Sequence, residues 1–184
     1  MAGHNKWSKI KHKKAATDAQ KSKVFSKHAS LIAMEARKAG GDIQSPGLAA
    51  AIERAKKDSM PKDNIERAIS RGSGADAANL EEILYEGYGP GGVAILIKAV
   101  TDNKNRTAPE IRAIFSKAGY QIGTPGSAAW AFTKTNDGYT PTTPIDLSDA
   151  DGEKLAVLIE KLEEQDDVQD VYTTADTPGE DSEA

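Results

Sequence analysis

Residues 89–100, GPGGVAILIKAV, predict a tight turn followed by a buried β-strand. Residues 93–100 are strongly apolar, and a short apolar run bounded by glycines is typical of a core strand. On the N-terminal side, Ile83, Tyr85 and then Tyr88 alternate around a first strand. The GPGG turn therefore predicts a hairpin at the start of a β-sheet.

Helix and strand signals alternate after this hairpin. The predicted elements are a helix opened by the capping box Thr107 to Glu110 and ended by Gly119, a strand at 128–133, a hairpin turn at 136–138, a strand at 139–147, a helix capped by Ser148 and a strand at 168–172. Counted from Val93, the order is β-α-β-β-α-β, which is the ferredoxin-like arrangement.

The first third of the chain predicts three helices with narrow, alanine-rich apolar faces. They run from a capping box at Thr17 and Gln20 to about residue 39, from Ser45-Pro46, and from Pro61 to Gly72. The fold class is therefore α+β: an N-terminal three-helix domain, then a ferredoxin-like βαββαβ domain with an extra N-terminal hairpin strand. The predicted divisions are a basic arm (1–16), the helical domain (17–72), a linker (73–79), the ferredoxin-like α/β domain (80–174) and an acidic tail (175–184).

Charge is distributed very unevenly along the chain. Residues 1–38 hold ten lysines and arginines and two acids, whereas residues 137–184 hold two basic and 15 acidic residues. The net charge of −4 hides this separation. A basic arm on an acidic body can contact phosphates without making the whole molecule adhere to polyanions.

The basic arm predicts a nucleic-acid-binding segment. Lysines give phosphate contacts that do not depend on sequence, and an interleaved tryptophan offers a stacking surface for an unpaired base. The predicted binding residues are His4, Lys6, Trp7, Lys9, Lys11, His12, Lys13, Lys14, Lys21, Lys23, Lys27, Lys104 and Arg106. For the residues of the arm, the alternative is a solvated tail. For the three lysines from 21 to 27 it is an exposed helix face, and for the last two residues of the list it is turn and capping chemistry.

No catalytic, cofactor or metal site is predicted. The chain has no cysteine, its three histidines lack ligand spacing, and no nucleophile–base pair is visible. GPGG lacks the lysine and the Ser/Thr of a phosphate-binding loop, which favours a plain turn. With no signal peptide and no apolar run of about 20 residues, we expect a cytoplasmic protein without a membrane or small-molecule partner.

Several separate blocks resemble the YebC/PmpR family, which includes the mitochondrial translational activator of cytochrome c oxidase. The blocks are AGHNKWSKIKHKKAATDAQKSKVFSK (2–27), MPKDNIERAI (60–69), YEGYGPGG (85–92), DNKNRT (102–107) and DDVQDVY (166–172). The resemblance implies a three-domain, non-enzymatic protein of gene expression. It also implies a further α/β domain after the strand corresponding to residues 130–134. Here residues 135–138 replace that domain, so the chain resembles a short form.

These observations predict a non-catalytic, nucleic-acid-binding regulator of gene expression. The resemblance implies either a ribosome-associated translation factor or a DNA-binding transcriptional regulator. A lysine arm with a tryptophan suits structured RNA with unpaired bases, so ribosomal RNA or tRNA is favoured over promoter DNA. A protein–protein adaptor that uses the acidic domain is the third hypothesis.

Overall fold

The computed structural model describes residues 18–136 and 138–176 of the chain. The helices are α1 (Asp18–Lys38), α2 (Pro46–Lys57), α3 (Lys62–Gly72), α4 (Lys104–Lys117) and α5 (Asp149–Glu164). The strands are β1 (Glu81–Tyr88), β2 (Ala94–Thr101), β3 (Phe132–Thr135), β4 (Gly138–Pro141) and β5 (Val168–Thr173). Short 3₁₀ helices cover Ala75–Asn79, Pro90–Gly92 and Ala129–Ala131. The α+β class, with N-terminal helices followed by an antiparallel sheet, is confirmed.

Strand β2 is the centre of a three-stranded antiparallel sheet with the order β1-β2-β5. The predicted hairpin pairs β1 with β2 in an unbroken register, from Glu81 opposite Thr101 to Tyr88 opposite Ala94. Its turn contains Gly91, whose φ of 67° is a backbone conformation that glycine adopts without strain. The other edge of β2 pairs with β5, and the register is irregular between Lys98 and Ala99.

The predicted ferredoxin-like order of elements is present, but its strands do not form the single sheet that the order suggested. Strands β3 and β4 pair only with each other, in a separate two-stranded sheet. A strand has two hydrogen-bonding edges, and the extra hairpin strand β1 and the last strand β5 occupy both edges of β2. The β3–β4 hairpin therefore packs on a face of the sheet instead of joining it.

The two faces of the sheet are covered by different elements. One face of β2 presents Ile95 and Ile97 to a core formed with α4 and α5, which contribute Ile111, Phe115 and Leu158 among others. The opposite face presents Ala94 and Leu96 to Ala131 and Phe132 at the start of the β3–β4 hairpin. All the β2 side chains except Lys98 are buried, as a strand covered on both faces requires.

Helix α1 belongs to two cores at once. Ile32 and Ala36 pack with α2 and α3 around the fully buried Leu48. Ala33 and Met34, on another side of the same helix, pack against Leu80 and Val100 beside the sheet. The helical bundle is therefore attached to the sheet through α1. Salt bridges from Lys38 and Lys98 to the Glu82 carboxylate, at 3.2 and 3.6 Å, reinforce this junction.

The predicted start of α4 was wrong. The helix begins at Lys104 and is capped by Asn103, whose side-chain oxygen accepts hydrogen bonds from the backbone N–H groups of Asn105 and Arg106. Thr107, which was expected to open the helix, lies inside it. Its hydroxyl donates to a carboxylate oxygen of Asp167 at 2.7 Å. The capping function goes to Asn103 because this buried hydrogen bond already uses Thr107.

The strands predicted at 128–133 and 139–147 are shorter than expected. Residues 129–131 form a 3₁₀ turn, because a carboxylate described below takes the backbone N–H groups at 128 and 129. Strand β4 ends at Pro141, and the chain then runs beside the end of β5. There Ile145 forms a parallel bridge with Ala175. The Thr17 capping box lies outside the described residues, whereas Ser148 caps α5 as predicted by accepting from the Asp151 N–H at 3.2 Å.

Two glycines within helices predict opposite effects of an added methyl group. A Cβ at Gly72, at the end of α3, would lie 2.4 Å from the Ala33 carbonyl oxygen and 2.7 Å from the Ala36 Cβ. We expect Gly72→Ala to lower the free energy of unfolding by about 1–3 kcal/mol, since α1 and α3 must separate. Gly152→Ala in α5 meets nothing within 4 Å and should raise it by about 0.5–1 kcal/mol.

Urea unfolding followed by circular dichroism measures both variants. An unchanged or more stable Gly72→Ala would contradict the close packing of α1 against α3.

Candidate nucleic-acid interface

Of the predicted binding residues, His4, Lys6, Trp7, Lys9, Lys11, His12, Lys13 and Lys14 lie outside the residues that the structure describes. Lys21, Lys23 and Lys27 lie on the N-terminal half of α1, the half whose residues are mostly exposed. Lys21 is exposed and makes no ion pair with another described residue. The arm is therefore continuous with a helix whose first turns are accessible to a ligand.

Lys23 and Lys27 contact the acidic turn, which we define as residues 163–167 (EEQDD), the last two residues of α5 and the three before β5. The Nζ of Lys23 donates to the Glu164 carbonyl oxygen and lies 3.6 Å from an Asp166 carboxylate oxygen. The Nζ of Lys27 donates to the Glu163 carbonyl oxygen. The last carbonyls of a helix lack intrahelical partners and carry partial negative charge, so cations stabilise this position.

Lys27 is the more enclosed of these two lysines. Burial lowers its pKa, and the nearby Lys23 lowers it further, although Glu163, Asp166 and Asp170 act in the opposite direction. The pKa of Lys27 is below its ordinary value as a result. The side-chain amide of Gln169 donates to the backbone carbonyl of Lys27 at 3.1 Å, which also fixes α1 on β5.

Lys104 and Arg106 lie at the start of α4 and are paired with acids. The Nζ of Lys104 is 3.8 Å from a Glu81 carboxylate oxygen. The Nη2 of Arg106 is 3.0 Å from an Asp167 carboxylate oxygen and 3.2 Å from one of Asp102. The Asn103 side chain accepts from the backbone N–H groups of Asn105 and Arg106, so the capping chemistry that was the alternative to phosphate binding is present at this helix start.

The structure thus brings Lys23, Lys27 and Arg106 to one place, around the acidic turn. Asp167 is the most enclosed acid there. Burial alone would raise its pKa, but the Thr107 hydroxyl and the Arg106 guanidinium stabilise the carboxylate, so its pKa is below the ordinary value. In the described residues these cations neutralise the C-terminal end of α5. A polyanion would have to compete with that end to contact them.

A second polar centre, which no sequence pattern indicated, lies under the β3–β4 hairpin. Glu86 in β1 is only 5% exposed, and its carboxylate accepts hydrogen bonds from the backbone N–H groups of Gly126, Ala128 and Ala129, each at 2.8 Å. Burial raises the pKa of Glu86, but the three donors outweigh it, and the pKa is below its ordinary value. No spacing in the sequence distinguishes Glu86 from the other two glutamates of β1, because its partners are backbone groups at least 40 residues away.

The loop that Glu86 holds also carries an exposed aromatic pair. The hydroxyl of Tyr88 donates to the Ser127 carbonyl oxygen at 2.7 Å, and the indole Nε1 of Trp130 donates to the same oxygen at 2.8 Å. The indole nitrogen is also 3.0 Å from the Tyr88 hydroxyl. The apolar pattern that suggested a strand at 128–133 had placed Trp130 in that strand. It lies instead in a 3₁₀ turn, with its ring in solvent.

Within residues 18–136 and 138–176, no group of three or more histidine, aspartate or glutamate side chains is arranged to hold a metal ion. None of the helices in the same ranges combines the length and the apolar character needed to cross a bilayer.

Family models match most of this chain. A model described as the TACO1/YebC protein N-terminal domain matches residues 5–75. A second, described as the TACO1/YebC second and third domain, matches in two parts, residues 80–137 and 133–175. These two parts meet at the turn between β3 and β4, so the family pattern is interrupted there.

Individual relatives are similar over long stretches. The chain is 58% identical over 136 residues to a probable transcriptional regulatory protein of Desulforapulum autotrophicum, covering 73% of this chain and 55% of that protein. It thus matches about half the length of that relative. It is 40% identical over 243 aligned positions to a probable transcriptional regulatory protein of Dictyoglomus thermophilum, covering 98% of each.

A solved structure is also similar. The crystal structure of a conserved hypothetical protein of Aquifex aeolicus matches with a TM-score of 0.81 and 30% identity, covering 95% of this chain and 98% of that one. The 243 positions aligned with the Dictyoglomus protein exceed the 184 residues here. That relative therefore carries residues without counterparts in this chain, as expected of the short form.

The lysines at the acidic turn predict a loss of stability when their charge is removed. We expect the double variant Lys23→Gln, Lys27→Gln to lower the free energy of unfolding by about 1 kcal/mol in total, since each cation at a helix C-terminus contributes about 0.3–1 kcal/mol and Lys23 is partly screened by solvent. Urea unfolding at low salt measures this. The exposed Lys21→Gln is the matched control on the same helix and should change stability by less than about 0.5 kcal/mol. Equal effects of the two variants would contradict the contact.

The Glu86 carboxylate predicts a pH-dependent effect of substitution. Glu86→Gln replaces an acceptor oxygen with an N–H₂ group that faces backbone donors, so we expect a loss of about 2–4 kcal/mol near neutral pH. Because the pKa of Glu86 in the folded protein is below its ordinary value of 4.5, the ionised carboxylate stabilises the fold above pH 4.5. This contribution to the free energy of unfolding is lost as the pH falls through the folded-state pKa. The difference between wild type and variant should therefore stay constant well above pH 4.5 and shrink as the pH is lowered below 4.5 towards the folded-state pKa.

Urea unfolding at a series of pH values tests this. Glu66→Gln, at an exposed ion pair with Lys62, is the control and should stay within about 0.5 kcal/mol of wild type at each pH. A difference for Glu86→Gln that stayed constant with pH would argue against an ionised buried carboxylate.

Proposed function

This chain belongs to the TACO1/YebC family, and on that premise we propose that it is a non-catalytic regulator of gene expression that binds nucleic acid through residues 1–16 and α1. RNA, as ribosomal RNA or tRNA and in association with the ribosome, is the favoured ligand. The observation that carries the proposal is the separation of charge, with ten basic residues among the first 38 and 15 acids after residue 136. The proposed site of action is the cytoplasm.

The position of α1 supports binding of nucleic acid at the N-terminal end of the molecule. Its C-terminal half is buried between the bundle and the sheet, whereas its N-terminal half carries the exposed Lys21 and leads directly from the arm. The acidic residues of the last third of the chain would repel a polyanion elsewhere. The phosphates are therefore directed to the N-terminal end of the molecule.

The described cations limit how many phosphates this end can hold. Lys23, Lys27 and Arg106 already neutralise the acidic turn, and Lys104 pairs with Glu81. Of the described residues in the predicted set, only Lys21 has no side-chain contact with a carboxylate or carbonyl oxygen of another described residue. Most of the proposed phosphate contacts therefore come from the five arm lysines, 6, 9, 11, 13 and 14.

Two alternatives have specific support. The relatives from Desulforapulum autotrophicum and Dictyoglomus thermophilum are named probable transcriptional regulatory proteins, which favours promoter DNA as the ligand. The high acid content of α5 and the segments after it suits a protein–protein adaptor. RNA remains the favoured ligand because a lysine arm with Trp7 matches a single-stranded segment better than the major groove of a duplex.

The salt dependence of binding tests the arm. With five phosphates neutralised, the logarithm of the association constant should fall with the logarithm of salt concentration with a slope of about −3.5 to −4.5, a loss of about 10² to 10³ between 50 and 200 mM. Fluorescence anisotropy of labelled single-stranded RNA and of duplex DNA measures this. Replacing the five arm lysines with glutamine should bring the slope close to zero.

The control for this test is the double variant Lys154→Gln, Lys161→Gln in α5, which removes two exposed lysines from the acidic domain. We expect it to retain the slope of the wild type. Binding that hardly changed with salt, or that survived deletion of residues 1–16, would contradict the proposed arm. Crosslinking in cells followed by sequencing separates the ligands: ribosomal RNA or tRNA supports the proposal, promoter DNA supports the transcriptional alternative, and neither supports the adaptor.

A further inference from the structure

Trp130 is unusually exposed for a tryptophan. Its 72% relative exposure is the highest among the large apolar side chains of the described residues. Tyr88, beside it, is 37% exposed. A tryptophan buries about 150–250 Å² when it is covered, so leaving one in solvent forgoes a large apolar contribution. Exposed aromatic rings also occur on flexible loops that bind nothing. The exposure of Trp130 therefore indicates a binding site only if the ring is held in place.

The ring is held by a hydrogen bond at its only polar atom. The indole Nε1 donates to the Ser127 carbonyl oxygen, and the Tyr88 hydroxyl donates to the same atom. The two aromatic side chains therefore meet at a single carbonyl and orient each other. We call Tyr88 and Trp130 the aromatic platform.

The loop under the platform is fixed as well. The Glu86 carboxylate accepts from three backbone N–H groups between Gly126 and Ala129, and the Glu86 carbonyl accepts from the Gly123 N–H at 2.8 Å. Ala131, which follows Trp130, is buried against the sheet. Trp130 is thus bounded on both sides by anchored backbone. A ring presented in this way loses little conformational entropy when a ligand covers it.

We propose that the aromatic platform is a stacking site for an unpaired nucleobase of RNA. The inference rests on the proposed function, to which it adds a second contact outside the N-terminal arm. Base–aromatic stacking is the usual way in which proteins hold single-stranded nucleic acid, and it tolerates any base because every base has a π-face.

The charge around the platform suits an RNA strand. Residues 118–133 contain no charged side chain and are bounded by Lys117 and Lys134. The one acid beneath the loop, Glu86, is buried and compensated by its three N–H donors. The segment that carries Trp130 therefore adds no exposed negative charge that would repel a phosphate backbone.

A protein partner fits this surface less well. A specific interface covers about 800 Å² on each partner and has an apolar centre. The exposed residues preceding the platform are Gly123, Thr124, Pro125 and Gly126, which are small or polar. The other exposed large apolar side chains of the described residues, Val24, Ile43 and Val157, belong to other elements. The platform is an isolated ring pair, which matches a base better than a protein surface.

Tryptophan fluorescence reports on the platform directly. The chain has two tryptophans, so the variant Trp7→Phe leaves Trp130 as the single reporter. It is titrated with a 12-nucleotide oligouridylate and with an abasic ribose–phosphate oligomer of the same length. We expect saturable quenching with the oligouridylate and none with the abasic oligomer, even where anisotropy shows that both bind. Bound oligouridylate without a change in Trp130 fluorescence would overturn the inference.

Substitution gives the second measurement. Trp130→Ala should weaken oligouridylate binding by about 5- to 150-fold, since stacking contributes about 1–3 kcal/mol per base. It should leave the salt slope and the binding of the abasic oligomer unchanged. Trp130→Phe keeps a ring and should lose less than Trp130→Ala. Val157→Ala, at a residue 58% exposed on α5, is the matched control and should bind as wild type. Equal binding by Trp130→Ala and wild type would overturn the inference, provided that circular dichroism shows both folded.

The outcomes separate this inference from the proposed function. No binding of any RNA by the wild type overturns both. RNA binding that depends on the arm lysines but is unaffected by Trp130→Ala overturns the platform alone. Quenching of Trp130 by a decaproline peptide, with none by oligouridylate, also overturns the inference, since the platform would then be a site for proline-rich protein segments.

Discussion

The fold depends on the complete enclosure of β2, from Ala94 to Thr101. Both of its edges are hydrogen-bonded, to β1 and to β5, and both of its faces are covered. A short turn joins β2 to β1, and glycine is favoured at position 91 because the residue has a φ of 67°. A Cβ there would also displace the end of the Leu147 side chain, whose Cδ2 would lie 2.3 Å away. Because β1 and β5 fill the edges of β2, helices α4 and α5 and the β3–β4 hairpin pack on its faces.

The acidic turn shows how the two ends of the chain depend on one another. Asp167 is stabilised from one side by Thr107 and Arg106, and the carbonyls at the end of α5 are neutralised from the other side by Lys23 and Lys27. The same two lysines lie on the helix proposed to lead into a nucleic-acid-binding arm. A polyanion that bound these two lysines would leave the end of α5 without its cations. Binding of a polyanion to the lysines would therefore compete with the attachment of α1 to β5.

The sequence predicted those elements whose determinants lie within a few residues of each other. Strand β2 follows from an apolar run and a glycine turn, and the start of α5 follows from the Ser148 cap. Long-range contacts explain the errors. Thr107 was mistaken for a cap because its partner, Asp167, lies 60 residues further along the chain. The strand expected at 128–133 is shortened by Glu86, 42 residues away from Ala128.

The same limit applies to the candidate site and to the sheet. Charge patterning identified Lys23 and Lys27 as a cationic face, but it could not show that backbone carbonyls at the end of α5 are their partners. The order of helices and strands matched a ferredoxin-like pattern, yet order alone does not say which strand takes which edge of β2. In the sequence, Trp130 is one more apolar residue of an expected strand. In the structure, its indole nitrogen donates a hydrogen bond to the Ser127 carbonyl oxygen and its ring lies in solvent.

The position of the β3–β4 hairpin explains how the rest of the fold can form although the family pattern is interrupted between these two strands. The hairpin pairs only with itself, so a longer connection or a short turn between its strands leaves the edges of the main sheet unchanged. Its two ends are held independently. Glu86 anchors the backbone before β3, and the bridge from Ile145 to Ala175 fixes the backbone after β4. Glycine is needed where the hairpin meets β5, because Gly138 has a φ of 127° and a Cβ there would lie 2.4 Å from the Tyr172 hydroxyl.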